Sequence, residues 1–180
     1  KSKWYEKTVN FNSNELRFFF DNFLVENKKK IKKLEQYFIR NNLNENELIE
    51  ISEKRENYFD KVCKYIKKNS GIILIFDYGY YDPINYSTIQ TISKHKNSHL
   101  FENLGTQDIT SLVNFKKFNE IAIKNKLVEK KIFTQKDFLV LNGILLRKKI
   151  ISLNSSIKTK KNIDSSLKRL ISNKEMGEIF

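Results

Sequence analysis

Residues 71–80 read G-I-I-L-I-F-D-Y-G-Y. A strand buried on both faces appears in sequence as an unbroken apolar run, because neither face meets water, and Ile72 to Phe76 is such a run. Gly71 closes it on one side and Asp77 on the other. Ligands in open α/β sheets collect just beyond the carboxyl ends of such strands. The expected class is therefore α/β, and the expected site is the turn at Asp77, Tyr78, Gly79 and Tyr80. A carboxylate at Asp77 can accept hydrogen bonds from a ligand amine or hydroxyl. Gly79 permits a tight turn or a close backbone approach. The competing reading is local: Asp77 caps the next turn and Gly79 bends it.

Upstream of this run, Ser52 is a good N-cap residue, with Glu53 and Glu56 in the first turn of the helix it opens and Lys64, Lys67 and Lys68 near the end. Those charges complement the helix dipole, and a helix feeding a strand is the doubly wound unit. Glu47 to Ile51 reads as a short element. From Asn27 to Arg40, Ile31, Leu34, Tyr37 and Phe38 recur at helical spacing. W-Y-E-K-T-V at 4–9 and the run Leu16 to Phe20 have strand character, and Asn12-Ser13-Asn14 between them is a turn, which predicts a hairpin.

Downstream, Tyr78 to Ser87 reads as a loop with Pro83 and four tyrosines, whose rings anchor the loop or stack on a ligand. Ser87 to Ile92 leans toward strand, and a polar segment follows through Thr110. Asn114 is placed to cap a helix with the apolar stripe Phe115, Phe118, Ile121 and Ala122. Thr134 with Asp137 forms a capping-box variant before Phe138, Leu139 and Leu141, and Gly143 fits a stop. The apolar run Ile144 to Leu153 and a helix around Ile163, Leu167, Leu170 and Ile171 complete a single expected unit over residues 1–180.

With 180 residues, 39% hydrophobic and 13% aromatic, the composition is that of a globular domain of ordinary size. No apolar run is long enough to span a bilayer, and no signal-peptide pattern opens the sequence, so cytosol or an organelle matrix is the expected compartment. The formal charge of +13 is spread over short clusters, among them Lys28-Lys29-Lys30, Arg147-Lys148-Lys149 and Lys158 to Lys161. Scattered lysines decorate solvated faces rather than a groove, and no nucleic-acid partner is expected. Cys63 stands alone among Tyr58, Phe59, Val62 and Ile66, as a buried small hydrophobe would. His95 and His99 are four apart, but without an H-E-x-x-H pattern or a convincing helix they predict no metal site.

Seven motifs then recur in order: W-Y-E-K-T-V at 4–9, E-L-I-E-I-S at 47–52, G-I-I-L-I-F-D-Y-G-Y at 71–80, S-T-I-Q at 87–90 leading to His95, L-G-T-Q-D-I-T-S-L-V-N-F at 104–115, T-Q-K-D-F-L at 134–139 with L-N-G-I-L-L-R ending at Arg147, and R-L-I-S-N-K-E-M-G-E-I-F at 169–180. In this order the chain resembles the MidA-like S-adenosylmethionine-dependent methyltransferases, a family that includes the mitochondrial assembly-factor methyltransferase of respiratory complex I. The resemblance implies a Rossmann-type methyltransferase fold with additional helices and S-adenosyl-L-methionine as cofactor. It further implies methylation of a protein arginine during assembly of complex I, a complex I subunit as protein partner, homodimerisation as a candidate state, and a bacterial cytoplasm or mitochondrial matrix as location. For such an enzyme the candidate pocket residues are Asp77, Tyr78, Gly79 and Tyr80 at the strand end and His95, Gln107, Asp108 and Thr110 as wall residues, with turn capping or loop anchoring as the structural alternative for each.

The chain also departs from that family. The family's glycine-rich cofactor loop, its acidic ribose-binding strand end and its N-E-x-x-D-A motif lie upstream of the part that matches Trp4 and are absent here. The expectation is thus a carboxy-terminal portion, incomplete and inactive alone, whose sheet exposes an edge and an apolar face and so favours self-association. The family's H-V-D-F is Leu112-Val113-Asn114-Phe115 in this chain. Asn replaces Asp at little cost if the position is an N-cap, whereas Leu112 cannot serve as a base. The alternative function is a noncatalytic assembly module that binds a folding subunit through its carboxy-terminal helices.

Overall fold

A computed structural model describes all residues except 1–2, 16, 45–46, 103, 128–130 and 178–180. The elements in chain order are β1 (Tyr5–Asn12), β2 (Arg17–Leu24), α1 (Lys28–Arg40), α2 (Glu53–Asn69), β3 (Gly79–Tyr80), β4 (Gln90–Ser93), β5 (Lys96–Asn97), β6 (Asp108–Thr110), β7 (Val113–Asn114), α3 (Phe115–Lys124), α4 (Gln135–Leu141), α5 (Ile144–Leu153) and α6 (Ile157–Ile171). The class is mixed α/β, as the sequence predicts. The chain divides into two compact units, residues 1–51 with 83–111 and residues 52–82 with 112–180.

In the first unit, β1 and β2 form the expected antiparallel hairpin, in register from Tyr5 opposite Leu24 to Asn12 opposite Arg17. Asn12 Oδ1 accepts hydrogen bonds from the Asn14 and Glu15 amides, which is how an Asx side chain closes a turn. Leu16, part of the predicted second strand, lies outside the described residues. α1 is capped by Asn27, whose side chain accepts from the Lys30 amide at 3.0 Å. β4 lies between β5 and β6 in an antiparallel sheet.

In the second unit, α2 packs on α3 through Phe59, Cys63 and Ile121, with Ile73, Phe118 and Leu127 around them. The Phe59 and Phe118 rings stack at 4.1 Å with an interplanar angle of 12°. Cys63 is fully buried, as expected, and burial pushes its thiol pKa up, with Asp60 adding to the shift. Asn125, buried beside this core, donates to Asp60 Oδ1 at 2.8 Å and to the Ile121 carbonyl at 2.9 Å. Thr134 accepts from the Asp137 amide and caps α4. Gly143 stands at φ 84°, the left-handed stop between α4 and α5. Ser52 sits at the N-cap of α2 without making the side-chain hydrogen bond its identity suggests.

The central expectation of a buried strand at Ile72 to Phe76 does not hold. The regular strand is limited to Gly79–Tyr80, and Ile72, Leu74 and Phe76 are 84%, 70% and 69% exposed. The cause is the lack of neighbours. Strand geometry is held by ladder hydrogen bonds, and here the first one reaches Tyr78, whose carbonyl accepts from the Val113 amide at 2.9 Å. Only Ile73 turns onto the α2–α3 core. Glu47 to Ile51 likewise forms no helix or strand.

Two measurements check this packing. Asn114 accepts from the Lys117 amide at 2.9 Å, so Asn114→Ala is expected to lower unfolding free energy by about 1 kcal/mol and Asn114→Asp to leave it nearly unchanged, read from urea midpoints. Equal losses in both variants would contradict the capping role. The second concerns Asp60, whose carboxyl pKa lies below the ordinary 3.8, first because of its hydrogen bond to Lys64 and then that to Asn125. Its folded pKa lies below its unfolded one, so its stabilisation is present above the unfolded value and is lost as pH falls through the folded one. Denaturation followed from pH 6 to pH 2 is expected to show a shallower acid limb in Asp60→Asn than in the parent.

Candidate functional site

The carboxyl end of the apolar run is built by three short pieces of the second unit. β3 pairs in parallel with β7, Gly79 opposite Val113 and Tyr80 opposite Asn114. Arg55, on α2, donates through Nη1 to the Leu112 carbonyl at 2.7 Å and so fixes the entry to β7. Tyr81 Oη accepts from Asn119 on α3 at 3.3 Å, which ties the chain beyond β3 to the same helix. An acid and two partly exposed aromatic rings therefore sit on an anchored turn.

Asp77 is exposed, and its Oδ1 accepts from the Tyr78 amide at 2.8 Å. That local bond orients the carboxylate and leaves Oδ2 without a hydrogen bond among the described residues. Tyr78 is exposed beside it, and Tyr80 is half-buried in the strand pair. Gly79 has a reason that neither sequence reading supplied. A Cβ there would overlap both the Phe115 ring and the Val113 carbonyl oxygen, so glycine is required by the close approach of β3 to β7 and α3.

The four remaining candidates lie in the first unit. Lys94 and His95, at φ 49° and 62°, are the two residues joining β4 to β5. Positive φ at both positions is the type I′ hairpin turn, whose twist matches the strands. His95 itself is exposed. Gln107 is engaged on both sides of its amide: Oε1 accepts from Ser98 Oγ at 2.7 Å and Nε2 donates to the Leu100 carbonyl at 2.7 Å. Asp108 and Thr110 are exposed on β6, opposite Ile92 and Gln90. Within this unit Gln107 directly precedes β6 and Asp108 and Thr110 are its first and last residues, whereas His95 belongs to a turn.

One constellation escaped the sequence reading. Glu50 accepts from the Thr88 amide at 2.9 Å and from its hydroxyl at 2.8 Å, and Thr88 is only 2% exposed. Glu47 accepts from Asn44 and Asn85, and the Asn44 bonds, foremost its side chain, lower the Glu47 carboxyl pKa. The motifs E-L-I-E and S-T-I-Q are thus joined to each other. Their presence as separate motifs was the only available signal.

Helices packed beside an apolar run that ends in an exposed acid, with a parallel strand pair at its end, are those of an α/β protein with a candidate site at the strand end. The particular family follows from comparison: the chain belongs to the family described as "Putative S-adenosyl-L-methionine-dependent methyltransferase", which it matches over residues 1–134. Two solved structures from Burkholderia thailandensis share the fold. One belongs to a superfamily member bound to S-adenosyl-homocysteine, with a TM-score of 0.77, 20% identity, and coverage of 98% of this chain and 46% of that one. The other belongs to an uncharacterised protein, with a TM-score of 0.74, 19% identity, and coverage of 98% and 47%. The chain thus spans about half the length of these neighbours. No match to a curated protein was found.

Gly79→Ala is expected to cost about 1–3 kcal/mol through overpacking, seen as a lower urea midpoint. An unchanged midpoint would remove the close-approach explanation. Replacing Lys94-His95 by Asn-Gly is expected to raise stability by about 1 kcal/mol or more by relieving two left-handed non-glycine residues.

Proposed function

We propose that this chain forms part of an S-adenosyl-L-methionine-dependent methyltransferase whose substrate is an arginine of a protein, acting in assembly of respiratory complex I. Membership of the methyltransferase family, over a match that contains the whole Asp77 turn, carries the methyltransferase part of this reading. S-adenosyl-homocysteine, bound in one structural neighbour, is the demethylated form of that cofactor and supports the same ligand class here. The ordered motifs from Trp4 onward support the arginine substrate and the assembly role.

The residues present fit one side of such a ligand. The free Oδ2 of Asp77 can accept a hydrogen bond from a hydroxyl, an ammonium or a guanidinium, and the exposed ring of the adjacent Tyr78 offers a flat surface. Bound S-adenosyl-L-methionine supplies an electrophilic methyl group. What this chain contributes is placement: Arg55 fixes β7, β7 fixes β3, and β3 fixes the acid that precedes it, so an attacking nitrogen held there keeps a narrow range of approach. Among the described residues no helix is long and apolar enough to cross a membrane, and we place the protein in a bacterial cytoplasm or a mitochondrial matrix.

A second reading is favoured by α5. This helix buries no side chain, and Leu145, Leu146, Ile150 and Leu153 are all exposed. An apolar helix of that kind suits a noncatalytic module that holds a folding subunit.

Calorimetric titration of S-adenosyl-L-methionine into this chain and into the product of the complete gene separates the two. Heat of binding in the complete product, weakened at least about tenfold by Asp77→Ala, is the expected result for the methyltransferase. Transfer of labelled methyl groups to arginine in candidate complex I subunits then tests the substrate. No binding to either protein would favour the assembly module.

A further inference from the structure

Ile72 to Phe76 presents an extreme of unmet bonding capacity on this chain. Among the described residues, none of its backbone N–H or C=O groups makes a hydrogen bond. Buried backbone polar groups are almost always paired, so an apolar segment of this kind can be covered only by a neighbour that also bonds its backbone. The side chains alternate as a strand would have them: Ile73 faces the α2–α3 core, while Ile72, Leu74 and Phe76 face outward and are exposed. Residues 71–76 contain no charge and no proline, the usual devices that keep an open edge from being paired. The apolar surface continues beyond the run, since Phe76 meets Phe138 of α4 edge-on at 5.2 Å and Leu141 beyond it is exposed.

We infer that residues 72–76 are a docking edge for a further β-strand, and that this strand belongs to the part of the methyltransferase fold that the two Burkholderia neighbours carry outside their match to this chain. Nearly all of this chain overlays on each of them, yet it accounts for less than half of each. Each neighbour therefore holds further polypeptide of domain size outside the match, enough to pair an edge and cover its outer face. The occupant is accordingly apolar and strand-forming, and it pairs by main-chain hydrogen bonds with pockets for alternate side chains. A second copy of this chain would bring another formal charge of +13 with it, and it is the competing occupant that the experiment separates.

The test is hydrogen–deuterium exchange, read by peptide mass spectrometry on this chain at low and high concentration and on the product of the complete gene. The expected result is free exchange of the 72–77 amides in this chain when monomeric and at least about 100-fold protection in the complete product. Leu74→Lys in the complete product should reduce that protection by about tenfold or more while exchange of the α2 and α3 amides is unchanged. Protection already present in the monomeric chain would overturn the inference, as would free exchange in both proteins. Protection appearing in this chain only at concentrations where sedimentation shows a dimer would assign the edge to a second copy and also overturn it. Protection in the complete product without S-adenosyl-L-methionine binding upholds the docking edge and sinks the cofactor reading, so the two fail separately.

Discussion

The stacked pair Phe59–Phe118 is the contact on which the second unit depends. Offset ring stacking combines large apolar burial with a defined geometry, and here it locks α2 against α3 around Cys63 and Ile121. The consequences run in one direction. With α2 fixed, Arg55 reaches the Leu112 carbonyl. With α3 fixed, its cap Asn114 is also the last residue of β7, and among the described residues β7 is the strand that pairs with β3. The position of the Asp77 carboxylate thus derives from two helices rather than from a wide sheet. The Asp60–Lys64–Asn125 cluster joins the same two helices, so polar and apolar contacts restrain one interface.

What was legible in the sequence is what is decided locally. Asn114 and Thr134, read as caps, each accept a hydrogen bond from the amide three residues on, a contact that requires nothing outside the first helical turn. The β1–β2 hairpin was legible for the same reason, because its turn is closed by Asn12 within the turn itself. Ser52 shows the limit: the residue type is right, but its backbone takes another conformation and the side chain makes no cap. Residues whose meaning depends on distant partners were not legible. Glu50 and Thr88 are 38 positions apart, and Arg55 and Leu112 are 57 apart. Gly79 was singled out correctly as a special position, yet its reason lies in Phe115 and Val113, not in its own backbone freedom.

The run 72–76 failed as a buried strand for an instructive reason. An apolar pattern reports which surface a segment requires, and pairing depends on whether that surface is supplied. On the side where a partner exists Ile73 joins the core, whereas Ile72, Leu74 and Phe76 on the other side stay largely exposed. Sequence periodicity encodes the requirement of a segment for burial, and the structure reports how far this polypeptide alone satisfies it.

That distinction bears on the site, because Asp77 directly follows the unpaired run. A carboxylate selects a ligand by holding one orientation, and orientation here is fixed from one side only, by the Tyr78 amide and the β3–β7 pairing. Upstream of it, none of residues 72–76 makes a backbone hydrogen bond among the described residues, so the ordering of that backbone sets the fraction of molecules in which the acid holds one orientation. Affinity falls in proportion to that fraction. If the 72–76 edge is paired and Asp77 meets a ligand as proposed, the two events are coupled, and by linkage a ligand that selects the ordered acid also strengthens the pairing of the strand that precedes it.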